Sequence, residues 1–182
     1  MNIEDLYSLY TKNYLVDTDT RTIRPTSIFF ALKGDNFNGN TFAKKAIELG
    51  ASYCVIDEAE YEIKGVTILV NNVLETLQSL ATYHRQKLGI PIIGITGSNG
   101  KTTTKELIHA VLKTQFKATA TRGNLNNHIG VPLTLLSFTN KTEIGIVEMG
   151  ANHQKEIEFL TTICEPDLGY ITNFGKAHLE GF

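Results

Sequence analysis

The chain has 182 residues, of which 42% are hydrophobic and 20% are charged, and its formal net charge is -2. These values are typical of a soluble globular protein with one large or two small domains. The charges form no single-sign excess, which argues against nucleic acid or an anionic membrane as the main partner. The N-terminus resembles no secretory signal, no segment is long and apolar enough to span a bilayer, and two cysteines form no metal cluster. We therefore expect a cytoplasmic protein without membrane insertion.

The first half of the chain predicts a small α/β unit. Its apolar runs have the length of buried strands, and its apolar residues at helical spacing are followed by glycine. Strands are predicted at residues 28–32, 53–56 and 66–70, and helices at residues 42–47 and 74–88. The following Gly89-Ile-Pro segment predicts a domain boundary, because glycine and proline stop the helix and allow a change of direction.

The second half repeats the order of strand, helix and strand. Strands are predicted at residues 92–96, 144–148 and 168–173, and a helix from residue 102 to about residue 116. This order predicts a parallel, doubly wound sheet. Because such a sheet has few strands and no covering helix after its last strand, we expect the second domain to be truncated.

A glycine-rich turn lies between the strand at 92–96 and the helix after it. Its sequence, Gly97-Ser-Asn-Gly-Lys-Thr-Thr103, predicts a loop whose backbone N–H groups hold phosphate in front of a helix N-terminus. Lys101 can reach the β- and γ-phosphates, and the Thr102 hydroxyl can bind Mg²⁺. The strict P-loop pattern requires glycine at position 95, where this chain has Ile95, so the motif is a variant. A plain turn with a surface lysine is disfavoured by the flanking strand and helix.

Two further candidates follow predicted strands, so both should lie at the carboxyl edge of the sheet. Glu148 ends the strand at 144–148, and beside a phosphate loop we interpret it as a Mg²⁺ ligand rather than a solvent-exposed acid. His178 follows the last strand, but Mg²⁺ prefers oxygen, so its chemistry alone favours a surface or hydrogen-bonded role. His128 and His153 lie in polar loops near the predicted site and stay undecided.

Polar turns supply the remaining candidates. Residues 123–132 bring together three asparagines, whose amides can orient phosphate oxygens or, equally well, cap a helix. In the first half, the turns at residues 19–21 and 34–39 flank the strand at 28–32. Arg21 can pair with a diphosphate, although turn chemistry explains both segments as well.

Together these segments resemble the Mur ligase family over nearly the whole chain. The phosphate loop from Thr96 to Thr102 is shared by all Mur ligases and by folylpolyglutamate synthetases. Further matching segments are Thr18-Asp-Thr-Arg21, Ile28-Phe-Phe-Ala-Leu-Lys-Gly34, Gly123-Asn-Leu-Asn-Asn127, Ile129-Gly-Val-Pro132, Glu148-Met-Gly-Ala-Asn-His-Gln154 and Ala177-His-Leu-Glu-Gly-Phe182. The segments at 123–132 and 148–154 resemble the branch that adds D-alanyl-D-alanine to UDP-N-acetylmuramoyl-tripeptide.

The resemblance implies an ATP-dependent, amide-forming ligase of peptidoglycan precursor synthesis that acts through an acyl phosphate. Residues 1–88 would form the UDP-sugar-peptide-binding domain, and residues 89–182 would form the first part of a P-loop-type, parallel-sheet ATPase domain. The family's carbamylated lysine and C-terminal ligase domain would lie beyond this chain, so the chain alone should be inactive. The implied protein is a cytoplasmic monomer whose partners are small-molecule substrates and not nucleic acid.

The resemblance also implies the roles of site residues. Lys101, Glu148 and His178 would be catalytic, and Thr102, Glu148 and His178 would hold Mg²⁺, with the histidine placing a second ion. The residues implied in ATP binding are Gly97, Ser98, Asn99, Gly100, Lys101, Thr102 and Thr103, with either Asn126 or Asn127. The UDP moiety would be received by Thr20, Arg21, Asp35, Asn36 and Phe37.

Two kinds of alternative stay open at this point. The first is another Mur ligase or a folylpolyglutamate-synthetase-like ligase, against which the segments at 123–132 and 148–154 argue. The second is a nucleotide-binding module without catalysis, against which an intact Lys101, Thr102 and Glu148 argue.

Overall fold

The structure is a computed structural model and describes residues 1–175. The chain divides into two compact units, one from Met1 to Leu80 and one from Ala81 onward. Each unit is built on a parallel four-stranded sheet. The sequence predicts a parallel sheet for the second unit and an α/β unit for the first. The helix that carries the unit boundary is Val73–Leu88, so the domain boundary expected at Gly89 stays a prediction. Within residues 1–175, no helix has the length and apolar character needed to cross a bilayer.

In the first unit, a sheet with the strand order β1-β2-β5-β6 carries a short antiparallel hairpin, β3-β4, at one edge. Its elements are α1 (Ile3–Tyr10), β1 (Val16–Asp17), β2 (Ile28–Phe30), β3 (Lys33–Gly34), β4 (Phe37–Asn38), α2 (Ala43–Glu48), β5 (Tyr53–Ile56), β6 (Thr67–Leu69) and the start of α3 (Val73–Leu88). Apolar side chains of β2 and β5 pack against the alanines of α2. All three residues of β2 and the last three of β5 are buried, so both faces of these strands are covered. This explains why the strands are nearly continuous apolar runs.

β2 ends at Phe30, two residues earlier than predicted, and the chain then leaves the sheet to form the hairpin. A Cβ atom at Gly39 would lie 2.2 Å from the backbone oxygen of Leu32, so only glycine allows this close approach. The Gly39 N–H also donates a hydrogen bond to the Leu32 carbonyl oxygen. The chain after β2 therefore folds back at the carboxyl edge of the sheet instead of continuing as a strand.

In the second unit, the strand order is β10-β7-β9-β8, with every neighbouring pair parallel. Its elements are β7 (Ile92–Thr96), α4 (Lys101–Leu112), β8 (Ala118–Ala120), α5 (Gly130–Leu135), β9 (Ile144–Glu148), α6 (Glu156–Cys164) and β10 (Leu168–Ile171). The strand order reverses at β7, because β8 and β9 lie on one side of it and β10 on the other. In open parallel sheets, ligands bind outside the carboxyl ends of the strands at such a switch point.

The helix predicted to reach residue 116 ends at Leu112. The N–H groups of Gln115 and Phe116 both donate to the Leu112 carbonyl, so the chain turns tightly after this residue. The turn leads into β8, a strand of three residues that the sequence did not predict. Short strands and turns of this kind carry too few residues for a recognisable hydrophobic period.

A buried arginine ties the helices of the second unit to the beginning of its strands. Arg85, which is 8% exposed, donates hydrogen bonds to the backbone carbonyls of Ile90, Cys164 and Glu165 and to the carboxylate of Asp167. The same carboxylate accepts the N–H of Ile92 at the start of β7. The planar guanidinium thus joins the ends of α3 and α6 to the first residues of the central strand.

His84, one residue before this arginine, is fully buried, and its Nε2 donates to the Phe138 carbonyl oxygen at 3.0 Å. Burial lowers the pKa of His84 to about 4, against the smaller opposing effect of that hydrogen bond. The unfolded chain therefore binds more protons than the folded chain between about pH 6.5 and pH 4. The contribution of His84 to stability is fully present above this window and is lost as the pH falls through it.

We expect the wild-type chain to lose about 3 kcal/mol more stability between pH 6.5 and pH 4 than the His84→Gln variant. Glutamine keeps a donor for the Phe138 carbonyl and does not titrate. The measurement is the free energy of unfolding in urea for both chains at several pH values. Subtracting one pH dependence from the other cancels the contributions of the other titrating groups. Parallel curves for the two chains would contradict the prediction.

Candidate functional site

The loop between β7 and α4 has a backbone that only glycine adopts easily at two positions. Gly97 has a φ of 132° and Gly100 a φ of 79°. A Cβ atom at Gly97 would lie 2.2 Å from the hydroxyl oxygen of Thr172. The glycine therefore allows the loop to pack directly against the segment that follows β10.

This following segment anchors the loop through five hydrogen bonds, one of which runs from the Ser98 N–H to the Asn173 carbonyl at 3.4 Å. The Thr172 hydroxyl donates to the Asn99 carbonyl at 2.6 Å, and the Asn99 N–H donates to the side-chain oxygen of Asn173 at 3.0 Å. The Ser98 hydroxyl donates to the Gly175 carbonyl and accepts the N–H of Gly175. Sequence reasoning did not assign a role to Thr172 and Asn173. The available signal was the presence of two polar residues where a core strand ends.

The N-terminus of α4 faces this loop without a side-chain cap. Gly100 is the N-cap residue and has no side chain that could accept the first N–H groups of the helix. Uncapped N–H groups and the positive end of the helix dipole together favour an anion. Ser98, Asn99 and Thr103, which the sequence placed in the same site, lie on the loop and the first turn of the helix.

Lys101 is the first residue of α4, and its ammonium group is held by the loop itself. Its Nζ donates to the Gly97 carbonyl at 2.6 Å and contacts the Ser98 carbonyl at 3.3 Å. The side chain also lines a cavity of about 680 Å³ at the carboxyl edge of the sheet. The lysine is thus positioned between the loop and the cavity, where a bound phosphate would replace the carbonyl oxygens as its partner.

Glu148, at the carboxyl end of β9, is 1% exposed and receives contacts from three different segments. Its Oε1 accepts the Asn126 amide at 2.8 Å and the Thr102 hydroxyl at 3.3 Å. Its backbone N–H donates to the hydroxyl of Thr121 at 2.9 Å. The structure therefore brings Thr102 and Glu148 together across 46 positions of sequence, as the sequence hypothesis of a shared metal site requires.

Lys105 approaches the other oxygen of the same carboxylate. It is 0% exposed, and its Nζ lies 3.7 Å from Glu148 Oε2 and 3.1 Å from Oε1 of the largely exposed Glu106. Within residues 1–175, neither the Nζ atom nor Oε2 has a partner with hydrogen-bond geometry. Sequence reasoning missed this residue. Its position four residues after Lys101, on the same helix face, was the available signal.

The two candidate asparagines have different environments. The side chain of Asn126 donates to Glu148, whereas the side-chain oxygen of Asn127 accepts the N–H groups of Ile129 and Gly130 at the start of α5. Both residues line the 680 Å³ cavity. The arrangement favours Asn126 as the residue that acts on the carboxylate and Asn127 as a helix cap.

The undecided histidines also lie in the second unit. His128 lines the cavity, together with Gln154 and Lys155. The backbone N–H of His153 donates to the carboxylate of Glu156 at the start of α6. His178 lies outside the described residues.

The oxygen atoms of Thr102 and Glu148 form the donor set that suits a hard cation such as Mg²⁺. Among the described residues, no group of three histidine, cysteine, aspartate or glutamate side chains can hold a metal. A Mg²⁺ ion at this position would therefore need phosphate oxygens and water to complete its coordination. This donor set fits a cation that binds together with a nucleotide.

The candidate residues of the first unit follow the carboxyl ends of β1 and β2. Thr20 and Arg21 form a short 3₁₀ turn, in which Arg21 is 87% exposed and pairs with Asp19 at 2.6 Å. The hydrogen bonds from Arg21 hold the pKa of Asp19 at about 2. A diphosphate would have to compete with this carboxylate for the guanidinium.

Asp35 and Asn36 form the turn of the β3-β4 hairpin, and Phe37, the first residue of β4, is 57% exposed. The hairpin is fixed to the loop after β5, because Lys33 makes ion pairs of 2.8 Å with both Asp57 and Glu58. This anchor was not foreseen from the sequence.

Comparison with known proteins identifies both halves of the chain. Residues 13–95 match the profile described as the Mur ligase family catalytic domain, and residues 95–182 match the Mur ligase middle domain. The UDP-N-acetylmuramoyl-tripeptide–D-alanyl-D-alanine ligase of Bacillus subtilis is 44% identical over 167 residues, which cover 91% of this chain. The ligase of the same name from Escherichia coli is 38% identical over 92% of this chain.

Solved structures agree with these matches. A crystal structure of MurF from Acinetobacter baumannii has a TM-score of 0.83 and 34% identity over 92% of this chain and 37% of its own. MurF ligase from Thermotoga maritima in complex with ADP has a TM-score of 0.81 and 32% identity over 94% of this chain and 39% of its own. The chain spans 36% and 37% of the two relatives from B. subtilis and E. coli. From the two adjoining family matches and these relatives, we conclude that the chain belongs to the Mur ligase family.

Proposed function

We propose that this chain supplies the UDP-sugar-peptide-binding and ATP-binding parts of a ligase that joins D-alanyl-D-alanine to UDP-N-acetylmuramoyl-tripeptide. The observation that carries the proposal is the phosphate loop beside the Thr102–Glu148 pair at 3.3 Å, at the switch point of a parallel sheet. Relatives that bear the name of this ligase are 35–44% identical to the chain. A solved structure of a UDP-N-acetylmuramoyl-L-alanyl-D-glutamate–2,6-diaminopimelate ligase, at 19% identity and a TM-score of 0.55, supports only the shared fold.

The nucleotide would bind with its phosphates on the loop N–H groups and the N-terminus of α4. In this arrangement, Lys101 would leave the Gly97 carbonyl and pair with the transferring phosphoryl group. Thr102 and Glu148 would hold Mg²⁺. When bound, this ion would neutralise negative charge on the phosphate oxygens. Asn126 would keep the Glu148 carboxylate in orientation through its 2.8 Å hydrogen bond. The T. maritima relative was solved in complex with ADP, which supports nucleotide binding by this chain.

The proposed reaction has two steps on the substrates. A carboxylate oxygen of the tripeptide attacks the γ-phosphorus of ATP, the bond to the β-phosphate oxygen breaks, and ADP leaves. The amine of D-alanyl-D-alanine then attacks the acyl carbon, the bond to the phosphate oxygen breaks, and the amine loses a proton as the amide forms. The protein contributes mainly by positioning the groups and by neutralising charge on the phosphoryl oxygens.

The cavity beside Lys101 can receive the reacting end of the peptide substrate. It has a volume of about 680 Å³ and is lined by amide and imidazole groups as well as by Phe159. We assign the UDP moiety to the domain at residues 1–88, with Thr20, Arg21, Asp35, Asn36 and Phe37. ATP and UDP-linked precursors are cytoplasmic solutes, which supports a cytoplasmic location.

Lys101→Ala should weaken transition-state stabilisation, because the charge aimed at the transferring phosphoryl group is lost. We expect kcat/KM to fall by at least about a hundredfold, or about 3 kcal/mol. The assay is phosphate release by the B. subtilis relative in which the matching segment is replaced by this chain. UDP-N-acetylmuramoyl-tripeptide, D-alanyl-D-alanine and ATP are supplied.

Lys113→Ala is the matched control, because Lys113 is an exposed lysine at the end of the same helix. It should leave kcat/KM within about twofold of the parent chimera, well under 1 kcal/mol. If Lys101→Ala were equally silent, the nucleotide assignment would be wrong. A chimera that folds but has no ligase activity would contradict the proposed reaction.

UDP should bind to the first unit without ATP, because the candidate residues all follow its own strands. In ¹⁵N-labelled chain, we expect UDP to shift the amide resonances of Thr20, Arg21 and residues 35–37 but not those of the phosphate loop. Arg21→Ala should weaken binding about three- to tenfold, since a charge-assisted contact with the diphosphate is removed.

Lys64→Ala is the control for that measurement, because Lys64 is an exposed cation of the same unit. Its UDP affinity should equal that of the wild-type chain. Shifts confined to the phosphate loop, or an absence of UDP-dependent shifts, would refute the assignment of the UDP moiety to residues 1–88.

A further inference from the structure

A buried lysine lies behind the proposed metal-binding carboxylate. The Nζ atom of Lys105 is 3.7 Å from Oε2 of Glu148, and both side chains are almost completely removed from solvent. The two oxygens of the carboxylate thus meet different groups. Oε1 meets the hydroxyl of Thr102 and the amide of Asn126, whereas Oε2 meets only this cation at ion-pair distance among the described residues.

We propose that Lys105 is a positioning and charge-balancing residue for Glu148, which makes binding of the divalent cation depend on the nucleotide. The inference rests on the proposed Mg²⁺ site at Thr102 and Glu148 and adds to it a residue that contacts neither metal nor phosphate. The lysine acts through the carboxylate alone.

The positioning part follows from the contacts on both sides of the carboxylate. The Asn126 amide donates to Oε1 at 2.8 Å, and the Lys105 ammonium attracts the other oxygen, Oε2. Rotation of the carboxylate would break one of these contacts in a site where water cannot replace it. The oxygen that faces Thr102 is therefore kept in one orientation before a cation arrives.

The charge-balancing part follows from burial. An isolated buried carboxylate attracts any cation strongly, because few water molecules screen its charge. Paired with the Lys105 ammonium, the carboxylate contributes little net charge to the site. A divalent cation then gains most of its binding energy only when nucleotide phosphates are present. Glu106 also lies near the ammonium, but this carboxylate is 62% exposed and its interaction is screened by water.

The two lysines on successive turns of α4 therefore have separate tasks. Lys101 is held by the carbonyls of Gly97 and Ser98 and lines the cavity, where it can meet phosphate. Lys105 lies beneath it, fully buried against Glu148. Among residues 1–175, the Lys105 ammonium has no acceptor with hydrogen-bond geometry, so its interaction with Glu148 is an ion pair.

The test measures Mn²⁺ binding to the 182-residue chain by electron paramagnetic resonance, with and without ADP. Lys105→Gln removes the charge and keeps a hydrogen-bond donor for the carboxylate. We expect its affinity for Mn²⁺ without ADP to rise about tenfold. The increase in Mn²⁺ affinity on addition of ADP, here called the ADP-dependent gain, should then become smaller by a similar factor. Lys105→Arg keeps the charge and should retain the wild-type gain.

Two controls separate this inference from the proposed function. Lys113→Gln removes an exposed lysine of the same helix and should change neither affinity. Glu148→Gln should weaken Mn²⁺ binding in the presence of ADP. If the wild-type chain shows no ADP-dependent Mn²⁺ binding and Glu148→Gln is also silent, the metal site itself is wrong, and the inference is lost with it.

The double variant Lys105→Gln/Glu148→Gln keeps the test decisive if Lys105→Gln fails to fold, because it leaves no unpaired buried charge. Since the lysine acts only through Glu148, the double variant should bind Mn²⁺ as Glu148→Gln does. A further change in the double variant would overturn the inference. So would an unaltered ADP-dependent gain in folded Lys105→Gln, or an equal loss of Mn²⁺ binding with and without ADP.

Discussion

The buried carboxylate of Glu148 is the group around which the second unit is organised. A charge that is 1% exposed is costly unless other groups compensate it, and three segments of the chain contact this residue. Two residues of α4, Thr102 and Lys105, approach its two oxygens, Asn126 comes from the loop before α5, and Thr121 follows β8. Removing the carboxylate would therefore affect the register of a helix, two loops and a strand, as well as a proposed metal ligand.

The parallel sheet explains why this carboxylate and the phosphate loop meet. β7 and β9 are neighbours that run in the same direction, so the residues after their carboxyl ends lie at one edge. The order β10-β7-β9-β8 also places the end of β10 beside the loop, where Thr172 and Asn173 hold its backbone. The anion-binding geometry of the loop thus depends on a strand that follows it by more than 70 positions.

The first unit is also built on a parallel sheet, and we propose that it binds a different kind of ligand. Its candidate residues also follow the carboxyl ends of parallel strands, but two of them, Arg21 and Phe37, are largely exposed. An exposed arginine and an ordered hairpin turn are instead suited to a flexible, partly solvated ligand such as a nucleoside diphosphate. Ion pairs of Lys33 with Asp57 and Glu58 connect the hairpin to the loop after β5.

The sequence by itself determined the features whose signals are local. The strands at Ile92–Thr96 and Ile144–Glu148 have the predicted bounds, because each is an apolar run ended by polar residues or glycine. The phosphate loop was also legible, since its glycines, lysine and threonine are contiguous. Only the tertiary structure distinguished Asn126 from Asn127 and showed that Lys105 is buried against Glu148. The contacts of Glu148 with Asn126 and Lys105 join residues that are 22 or more positions apart, and such contacts depend on how the strands align rather than on any local pattern of residues.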